Sequence, residues 1–478
     1  MAELEAVIGL EIHVQLSTRT KMFCGCELSF GDEPNVHTCP VCLAHPGVLP
    51  VPNEEAVHHA LKIAAALECE VAPRSIFHRK NYFYPDNPKA YQVSQYDEPL
   101  AANGRLGGVR IHRAHLEEDA AKTIHLGESG RIHGSGASLV DFNRGGTPLV
   151  EIVTEPDLRS AAEAAVWARL LRTTVRQLGV SDVNMEEGSL RIDANVSLRP
   201  AGSEQLGTKT ELKNMNSFRF LERGVEAELA RQRELLGAGG TVVQETLHFH
   251  PEDGTLHPLR SKEEAHDYRY FPEPDLVPLA PTEEMLRESR ESLPELPEAR
   301  MRRYEGELGL SAENAAQLAA DPDAAAYFEA VCESASGVEA QVVANWVTGE
   351  LAAALRQADG GAPGDSKVEP AALAALVGMV GERKISHGSG KQVLAALDAE
   401  GGDPAAIVER EGLAQISDSG ELEGIVAAAV EANPEAAEQV RSGNQKAIGA
   451  IVGAVMKETK GRADGGEVTR LIREQLGI

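Results

Sequence analysis

Two stretches of alternating side chains constrain the fold of this 478-residue chain more than any other feature. In residues 7–16, and again in 184–198, aliphatic side chains recur at every second position. Successive side chains of a strand point to opposite faces, so both stretches are predicted to be strands with one buried face. Such strands favour a largely antiparallel sheet that carries helices on one face and leaves the other open. The open face would carry Glu11, His13 and Gln15 from the first stretch, and Arg191, Asp193, Asn195 and Ser197 from the second.

The second half of the chain has a different character. After about residue 295, alanine-rich segments with helical spacing replace the strands, and Gly/Pro breaks at 359–364 and 400–404 separate them. The predicted fold class is therefore α+β, with an N-terminal domain of largely antiparallel sheet and helices followed by all-α domains. The length agrees with roughly three domains.

The charge balance limits the kinds of partner that the chain can bind. Its formal net charge is −28, from 46 Lys and Arg against 74 Asp and Glu. This excess argues against a protein that coats nucleic acid non-specifically, so any RNA contact should be local and directed by shape. No apolar run reaches the roughly 18 residues of a membrane span. Residues 1–5 lack the basic and apolar regions of a signal peptide, so we expect a cytoplasmic protein.

Four of the six cysteines form two close pairs. In a cytoplasmic chain this spacing favours a structural zinc site over two disulfides. Four thiolates fill the tetrahedral shell of Zn²⁺ and leave no open position for catalysis. The predicted zinc ligands are Cys24, Cys26, Cys39 and Cys42, whereas Cys69 and Cys332 are expected to be ordinary buried thiols.

Three consecutive carboxylates, Glu117, Glu118 and Asp119, follow the strand-like residues 109–113. Adjacent like charges repel unless a cation compensates them, and a divalent metal ion is the usual cation in a packed site. The alternative interpretation is a solvated acidic turn. Because the predicted open face offers further carboxylates, we expect the triplet to lie beside it and to contribute to a metal site.

Residues 77–95 interleave cations with aromatic rings, in a chain that is only 4% aromatic. Two prolines exclude a regular helix and indicate an ordered loop. Tyrosines that merely pack are one explanation, but interleaved cations and rings suit a nucleotide or an RNA end, which needs both stacking and phosphate pairing. The candidates are Arg79, Lys80, Tyr82, Tyr84 and Lys89, together with Lys209 and Lys213 on one face of residues 208–214.

The C-terminal stretch reverses the overall charge balance. Residues 441–473 hold seven Lys and Arg against three Asp and Glu. A solvated helix face and a weak contact with an RNA backbone both agree with this pattern. The candidates for the RNA contact are Arg441, Lys446, Lys457, Lys460 and Arg462.

Five segments in order resemble, along nearly the whole chain, the B subunits of aspartyl/glutamyl-tRNA amidotransferases. They are residues 7–13, 79–92, 115–120, 185–191 and 267–274. The resemblance implies a cradle-shaped N-terminal kinase domain, a helical domain and a small helical tail. We assign these to residues 1–293, which include the cysteine pairs as a zinc-binding insertion, to 294–405 and to 406–478, and we expect the basic tail to bind tRNA. The resemblance also implies partners: the glutaminase (A) subunit, the small (C) subunit and misacylated tRNA(Asn) or tRNA(Gln), with the non-discriminating synthetase as a further candidate.

The reaction implied by the resemblance uses ATP to phosphorylate the side-chain carboxylate of Asp or Glu misattached to tRNA. Ammonia from the glutaminase then displaces phosphate and leaves the amide. Such a phosphoryl transfer needs Mg²⁺ and cations to gather charge, with little covalent help from the protein. The implied magnesium ligands in this sequence are Glu11, His13, Glu117, Glu118 and Asp193, with Lys80 and Arg191 as phosphate partners.

Two other functions are compatible with the same residues. One is a self-sufficient ATP-dependent ligase of another kind, and the other is a non-catalytic tRNA-binding scaffold whose acidic face is merely solvated. The sequence holds no serine- and glycine-rich amidase signature with a catalytic lysine and no evident Cys/His glutaminase arrangement. We therefore expect the chain to depend on another protein for ammonia.

Overall fold

The structure is a computed structural model that describes residues 3–126, 135–258, 268–357, 361–414, 419–442, 444–459 and 462–477. The chain divides into two compact units, Met1–Leu296 and Pro297–Ile478. The first combines strands and helices and the second is helical, which confirms the predicted α+β class. None of the helices in the described ranges is long and apolar enough to cross a membrane.

The strands formed by the described residues all lie in the first unit. In chain order they are β1 Leu4–Gln15, β2 Glu70–Val71, β3 His78–Asn81, β4 Tyr91–Ser94, β5 Ala101–Leu106, β6 Val109–Glu118, β7 Lys122–Leu126, β8 Ala137–Asp141, β9 Pro148–Thr154, β10 Leu190–Pro200, β11 Thr210–Lys213, β12 Thr246–His250, β13 Thr255–Pro258 and β14 Phe271–Pro272.

Within the described residues, nine of these strands form one sheet in the order β13-β12-β11-β10-β1-β9-β6-β5-β2. All neighbours are antiparallel except β11 and β12, which are parallel. β14, β3 and β4 form a separate small sheet, and β7 pairs with β8. The predicted largely antiparallel sheet is therefore confirmed, and its two predicted strands, β1 and β10, are direct neighbours.

One face of the large sheet is the core of the first unit. The alternating aliphatic side chains of β1 and β10 are buried there, as the sequence predicts, beneath helices α1 Glu54–Ala66, α2 Ala161–Leu178 and α3 Phe218–Gly237. Each fully buried aliphatic side chain stabilises the fold by about 1.5–3 kcal/mol. The prediction for 184–198 is wrong only at its start, because a turn closes residues 184–189. The Ser189 hydroxyl accepts the Asn184 amide at 2.7 Å, and β10 begins at Leu190.

Side-chain caps define where the three helices begin. Asn53, Ser160 and Ser217 each accept a hydrogen bond from a backbone amide of the first turn. α2 ends at Gly179, which has φ +68, a left-handed conformation that favours glycine. A fourth helix among the described residues of this unit is α4 Glu283–Glu291.

The second unit contains two hydrophobic cores, one built from buried residues between Tyr304 and Leu413 and the other from Leu422 to Leu476. The expected boundary at 405/406 falls inside α12, whose Ile407 and Val408 pack in the first of these cores. The α-helices are α5 Pro297–Gly306, α6 Ala312–Ala319, α7 Pro322–Ser334, α8 Ala340–Asn345, α9 Ala352–Gln357, α10 Pro370–Gly381, α11 His387–Glu400, α12 Pro404–Glu411, α13 Ser419–Ala432, α14 Pro434–Arg441, α15 Ile448–Glu458 and α16 Gly465–Leu476, with a π-helical segment at Trp346–Leu351 and 3₁₀ turns at Pro363–Asp365 and Gln445–Ala447.

Candidate active site

The polar face of the large sheet gathers acidic and imidazole groups from four adjacent strands. Residues that oppose each other in a sheet carry their side chains on the same face. Glu11 of β1 opposes Asp193 of β10, and His13 of β1 opposes Glu151 of β9. Glu151 in turn opposes His115 of β6. Side chains far apart in sequence therefore become neighbours on the face turned away from the core.

His13 lies in the middle of this group. Its Nε2 is 3.4 Å from Glu117 Oε1, 3.7 Å from Glu151 Oε2 and 4.0 Å from Glu11 Oε1. Glu117 and Glu151 are buried, while Glu11 and His13 are half-buried. Two sets of side chains bring one ligand atom each to within 4.8 Å of one another: Glu11, His13 and Asp193, and His13, Glu117 and Glu151. We call these five residues the acidic cluster.

Neighbouring groups orient the two buried carboxylates of the acidic cluster. His115 Nε2 lies 3.2 Å from Glu151 Oε2, and Arg113 Nη2 lies 3.5 Å from Glu151 Oε1. The Ser94 hydroxyl donates to Glu117 Oε2 at 3.1 Å. Because these contacts fix both side chains, the carboxylates are preorganised for a cation.

The environment changes the acidity of two carboxyl groups in opposite directions. Burial alone would raise the pKa of Glu151, but His115, His13 and Lys80 hold it well below its usual range. Burial raises the pKa of Glu11, and the negative charge of Glu151 adds to that effect. A bound cation would favour the ionised form of Glu11.

The donor set fits a hard divalent cation. Mg²⁺ prefers oxygen ligands, retains several waters and usually takes one or two carboxylates from a protein. Each half of the acidic cluster offers two carboxylates, with His13 shared between the halves. Four carboxylates in so small a volume repel one another without a counter-charge.

Lys80 approaches the acidic cluster from the small sheet. Burial lowers the pKa of Lys80, but the charges of Glu117 and Glu151 outweigh it and raise the pKa overall. The ammonium also lies 5.1 Å from the centre of the Tyr268 ring. The predicted phosphate partner Lys80 is therefore close enough to influence both buried carboxylates.

The acidic triplet does not act as one unit. Glu117 and Glu118 are the last two residues of β6, so they point to opposite faces, and only Glu117 joins the acidic cluster. Glu118 pairs with Lys89 and accepts the Val93 amide at 2.9 Å. Glu118 therefore lies apart from the acidic cluster, because the strand extends further than the sequence predicts.

Asp119, the third carboxylate, lies beside two arginines. Arg191 Nη2 is 3.0 Å and Arg144 Nε is 3.6 Å from Asp119 Oδ2. Burial would raise the pKa of Asp119, but these guanidinium groups lower it. The guanidinium of Arg191, a predicted phosphate partner, is thus already paired with a carboxylate of the protein.

The predicted nucleotide-binding loop is largely occupied by contacts within the protein. Arg79 makes two hydrogen bonds of 2.7 Å to Glu273. The Tyr82 hydroxyl donates to Asp86 at 2.8 Å, and its ring stacks on Tyr84 with 6.2 Å between centroids. Lys80 is the cation of this loop that reaches toward the acidic cluster.

The two predicted lysines, Lys213 at the end of β11 and Lys209 just before the strand, differ in environment. Lys213 Nζ lies 2.6 Å from Asp193 and 2.8 Å from Glu211. Burial lowers the pKa of Lys213, but these carboxylates raise it overall. Lys209 is exposed. Lys213 is therefore directly linked to the acidic cluster through Asp193, and Lys209 is not.

The four cysteines of the predicted zinc site converge. Their sulfur atoms all lie within 4.8 Å of one another, with 4.0 Å between Cys26 and Cys42 and 3.9 Å between Cys39 and Cys42. A tetrahedral Zn²⁺ with bonds of about 2.3 Å would hold its sulfurs roughly 3.8 Å apart. These donors therefore fit a four-coordinate zinc ion.

A cavity of about 230 Å³ separates the cysteines from Glu118. Cys24, Cys42, Lys89 and Glu118 are among the residues that line it. Glu118 and the cysteine insertion therefore border the same cavity.

Of the basic residues predicted for RNA contact, Arg441 ends α14, Lys446 lies in the 3₁₀ turn Gln445–Ala447, Lys457 lies in α15 and Arg462 lies between α15 and α16. Arg441, Lys446 and Lys457 are exposed, whereas Arg462 is half-buried and donates to the Thr459 carbonyl at 3.1 Å. Lys460 lies outside the described residues.

Sequence reasoning missed Glu151 and His115. Glu151 is the only charged residue in the strand Pro148–Thr154, in which Thr154 is the only other polar residue, and this is a signal that could have singled it out. A buried charge in such a strand needs a partner. The spacing alone could not show that β9 lies between β1 and β6.

Comparisons with known proteins agree with this architecture. A family model described as the GatB/GatE catalytic domain matches residues 6–287, and one described as the GatB domain matches 326–476. Curated proteins named as the B subunit of aspartyl/glutamyl-tRNA(Asn/Gln) amidotransferase are similar over the full chain. The protein of Persephonella marina is 48% identical over 99% of this chain and 100% of its own length. The protein of Anaeromyxobacter dehalogenans is 49% identical over 100% of this chain and 99% of its own length. The protein of Brevibacillus brevis is 48% identical over 100% of this chain and 99% of its own length. The chain therefore belongs to the GatB family.

Proposed function

We propose that this chain is the transamidase subunit of a tRNA-dependent amidotransferase. It activates the side-chain carboxylate of Asp or Glu misattached to tRNA(Asn) or tRNA(Gln) by ATP-dependent phosphorylation. Ammonia then displaces phosphate, and Asn-tRNA(Asn) or Gln-tRNA(Gln) is released. The observation that carries the proposal is the acidic cluster on the open sheet face, in a chain that resembles named amidotransferase subunits over its full length.

The acidic cluster is the proposed magnesium site, with Glu11, His13, Glu117, Glu151 and Asp193 as its ligands. Mg²⁺ bound there would neutralise the charge that develops on the transferred phosphoryl group and would orient its oxygens. Glu118 is not in this ligand set. Its proposed role is to position Lys89 and, by accepting the Val93 amide, strand β4.

Cations around the acidic cluster have a positioning role in this proposal. Lys80 lies near Glu117 and Glu151 and would bind phosphate oxygens as a compact point charge. Lys213 would do the same from the side of Asp193. Arg191 opposes His13 and pairs with Asp119, so its guanidinium is kept beside the acidic cluster in a fixed orientation. Preorganised charge of this kind is the main contribution that a protein makes to phosphoryl transfer.

The proposal includes a division of labour within a complex. The glutaminase (A) subunit would produce the ammonia, and the small (C) subunit would complete a heterotrimer that works in the cytoplasm, with the non-discriminating synthetase as a further candidate partner. Four cysteines would hold one Zn²⁺ as a structural element, because four thiolates leave no coordination position for substrate. The proposed domains remain 1–293, 294–405 and 406–478, and the last of these, the helical tail, is the proposed tRNA-binding element.

Reconstitution with both partner proteins tests the proposed function. The complex is supplied with free ammonia, ATP and Mg²⁺, and with Asp-tRNA(Asn) and Glu-tRNA(Gln) in separate reactions. We expect ATP hydrolysis stimulated by the misacylated tRNA and an equal amount of new amide. Amide formed by the isolated chain from glutamine would favour a self-sufficient ligase. Tight tRNA binding without any ATP hydrolysis would favour a scaffold and would refute the proposal.

A further inference from the structure

A register shift in strand β6 decides which of its side chains reach the open face of the sheet. Ile111 is buried in the core, and simple alternation would send Arg113 into the core as well. Instead Ile111 pairs with Thr154 of β9 and Arg113 pairs with Val153, so that two steps along β6 correspond to one step along β9. Ala114, directly after Arg113, is buried in the core in its place. Such a bulge re-aims side chains and is common beside active sites, and here it places Arg113 on the open face.

Arg113 stands at one end of a row of opposed residues that crosses five strands. Its partner Val153 opposes Glu11 of β1, which in turn opposes Asp193 of β10. The pairing of β10 with β11 continues the row to Lys213, whose Nζ lies 2.6 Å from Asp193. Opposed residues carry their side chains on the same face. The row therefore has two carboxylates of the acidic cluster near its middle and a cation at each end.

The guanidinium of Arg113 leans from its end of the row toward the acidic cluster. Its Nη2 lies 3.5 Å from Glu151 Oε1, which is longer than the usual N–H···O hydrogen bond of about 2.7–3.2 Å. Its Nε is buried and has no hydrogen-bond partner in the described part of the chain. The side chain as a whole is nevertheless 28% exposed, so a ligand can reach it. Because a buried donor without an acceptor is costly, these unused donors favour a ligand at this position.

Two other cations beside the acidic cluster differ from Arg113, because carboxylates of the protein already bind them. Lys213 Nζ lies 2.6 Å from one carboxylate and 2.8 Å from another, and Arg191 Nη2 lies 3.0 Å from Asp119. Lys80 is a compact point charge, which suits phosphate oxygens. An arginine instead offers a planar fork, which pairs with a planar carboxylate through two parallel hydrogen bonds. Arg113 is therefore suited to hold a carboxylate that does not belong to the protein.

We propose that Arg113 binds the side-chain carboxylate that becomes phosphorylated, and that Val153 beside it contacts the methylene groups of that side chain. This inference rests on the proposed function, in which an Asp or Glu side chain attached to tRNA attacks ATP. One carboxylate oxygen forms a bond to the γ-phosphorus, the bond from that phosphorus to the β–γ bridging oxygen breaks, and ADP leaves with the electron pair. The attacking and leaving oxygens lie roughly in line, so the acceptor and the nucleotide approach from opposite sides. Arg113 serves the acceptor at one end of the row, and Lys213 serves the phosphates at the other.

The contact with Arg113 also distinguishes the substrate from the product. An amide is neutral, so it cannot form the charge-assisted pair, and its NH₂ group would meet the N–H donors of the guanidinium. We therefore expect the wild-type complex to bind Glu-tRNA(Gln) at least about tenfold more tightly than Gln-tRNA(Gln). The two ligands share their RNA, so contacts with the RNA cancel in this comparison.

Dissociation constants of the complete complex test the proposal. They are measured at saturating Mg²⁺ without ATP, for Glu-tRNA(Gln) against Gln-tRNA(Gln) and for Asp-tRNA(Asn) against Asn-tRNA(Asn). A separate titration measures the affinity for Mg²⁺–ATP. The variants are Arg113→Gln and Arg113→Lys. The matched control is Arg110→Gln, which removes an exposed arginine of the same strand that lies 2.7 Å from Asp157.

Arg113→Gln should bind the acidic and the amide forms within about twofold of each other, since a neutral side chain forms no charge-assisted pair. Arg113→Lys should keep part of the preference, because it retains the charge without the fork. The control should keep the full preference, and the affinity for Mg²⁺–ATP should not change in any variant.

Equal binding of both forms by the wild type, or a full preference in Arg113→Gln, would refute the proposal. Weaker ATP binding with an intact preference would also refute it, because Arg113 would then belong to the phosphates. If Arg113→Gln binds neither form, Arg113→Lys decides, and an undiminished preference in that variant overturns the proposal. None of these measurements requires turnover, so a failure of the proposed amidation reaction is recorded separately, by the wild-type complex alone.

Discussion

At the scale of single residues, Glu151 is the buried carboxylate that joins His13 of the acidic cluster to the basic side chains of the neighbouring strand β6. It lies near His13, His115 and Arg113. Burial would raise its pKa, but the charges of His115, His13 and Lys80 hold that pKa well below the usual range. Replacing Glu151 by Gln preserves its volume but removes the charge. We expect amide formation from free ammonia to fall at least about a hundredfold, the scale of removing one electrostatic stabiliser.

Steady-state amidation with ammonia, ATP and misacylated tRNA measures this effect. Glu155→Gln is the matched control, since Glu155 follows the same strand but contacts the exposed His112. Its activity should equal that of the wild type. Equal activity of Glu151→Gln and the control would show that the acidic cluster is not the kinase site.

Glu117 and Glu118 provide a second test at residue scale, because they are adjacent in sequence and opposite in orientation. Glu117→Gln should lower the affinity for Mg²⁺ at least about tenfold, since a ligating carboxylate is lost from a site that depends on few protein oxygens. Glu118→Gln should leave Mg²⁺ affinity within about twofold of wild type. Titration with Mn²⁺, a spectroscopically detectable substitute for Mg²⁺, measures the metal affinity of both variants. Equal losses in the two variants would contradict the separation of the two side chains.

At the scale of elements, the cysteine insertion is predicted to be held together by zinc. Residues 24–42 contain little regular secondary structure, so four metal–sulfur bonds would replace the core that so short a segment cannot build. Metal analysis of chelator-washed protein should find about one zinc ion per chain, as four converging thiolates complete a single shell. Cys24→Ser and Cys42→Ser should lose it. Cys332→Ser, which lies outside the insertion, should retain it, and full zinc content in the first two variants would rule out the assignment.

The start of β6 is joined to the turn after β9 by a paired guanidinium and carboxylate. Arg110 makes hydrogen bonds of 2.9 and 2.7 Å to the two oxygens of Asp157, and they lower the pKa of Asp157. A depressed carboxyl pKa stabilises the fold above the unfolded pKa of about 3.9, and that stability is lost as the pH falls through the folded value.

Asp157→Asn should therefore destabilise the protein at pH 7, by about 0.5 kcal/mol because Arg110 is largely exposed to solvent. The difference from wild type should shrink as the pH falls from about 3.9 toward the lower pKa of the folded carboxyl, where the native Asp157 takes up its proton. Urea unfolding of the two proteins at several pH values measures it. A difference that does not change with pH would mean that the hydrogen bonds, and not the charge, carry the effect.

At the scale of the whole molecule, the tail has a hydrophobic core of its own, from Leu422 to Leu476. Because Leu413 packs in the preceding core, a truncation after Ala414 is better placed than one at 405. We expect the truncated complex to show a KM for tRNA raised severalfold, since exposed cations such as Lys446 and Lys457 would be lost. Glutaminase activity of the complex should stay near normal. An unchanged KM for tRNA would remove the tail from tRNA binding.

Local sequence pattern was sufficient wherever the deciding interaction is local. Alternation in residues 7–16 identified the buried and polar faces of β1, and the same rule worked for β10 from Leu190 onward. The helix at 161–178 and its glycine cap were also predictable, because capping involves residues within one turn. The four cysteines were grouped correctly by spacing alone. In each case the relevant atoms lie within a few tens of residues of one another.

Tertiary structure decided which polar residues meet. The carboxylate of Glu151 joins the acidic cluster because β9 pairs with both β1 and β6, and the pairing with β1 joins segments more than a hundred residues apart through a register set by packing. Strand β6 continues through Glu118, so two carboxylates that are adjacent in sequence end on opposite faces. The pairing of Arg79 with Glu273 also joins distant segments, and it removes from the expected nucleotide loop a cation that the sequence presents as available. Side-chain periodicity encodes which face of an element is buried, but the identity of the neighbours on the other face depends on strand order, which no local pattern carries.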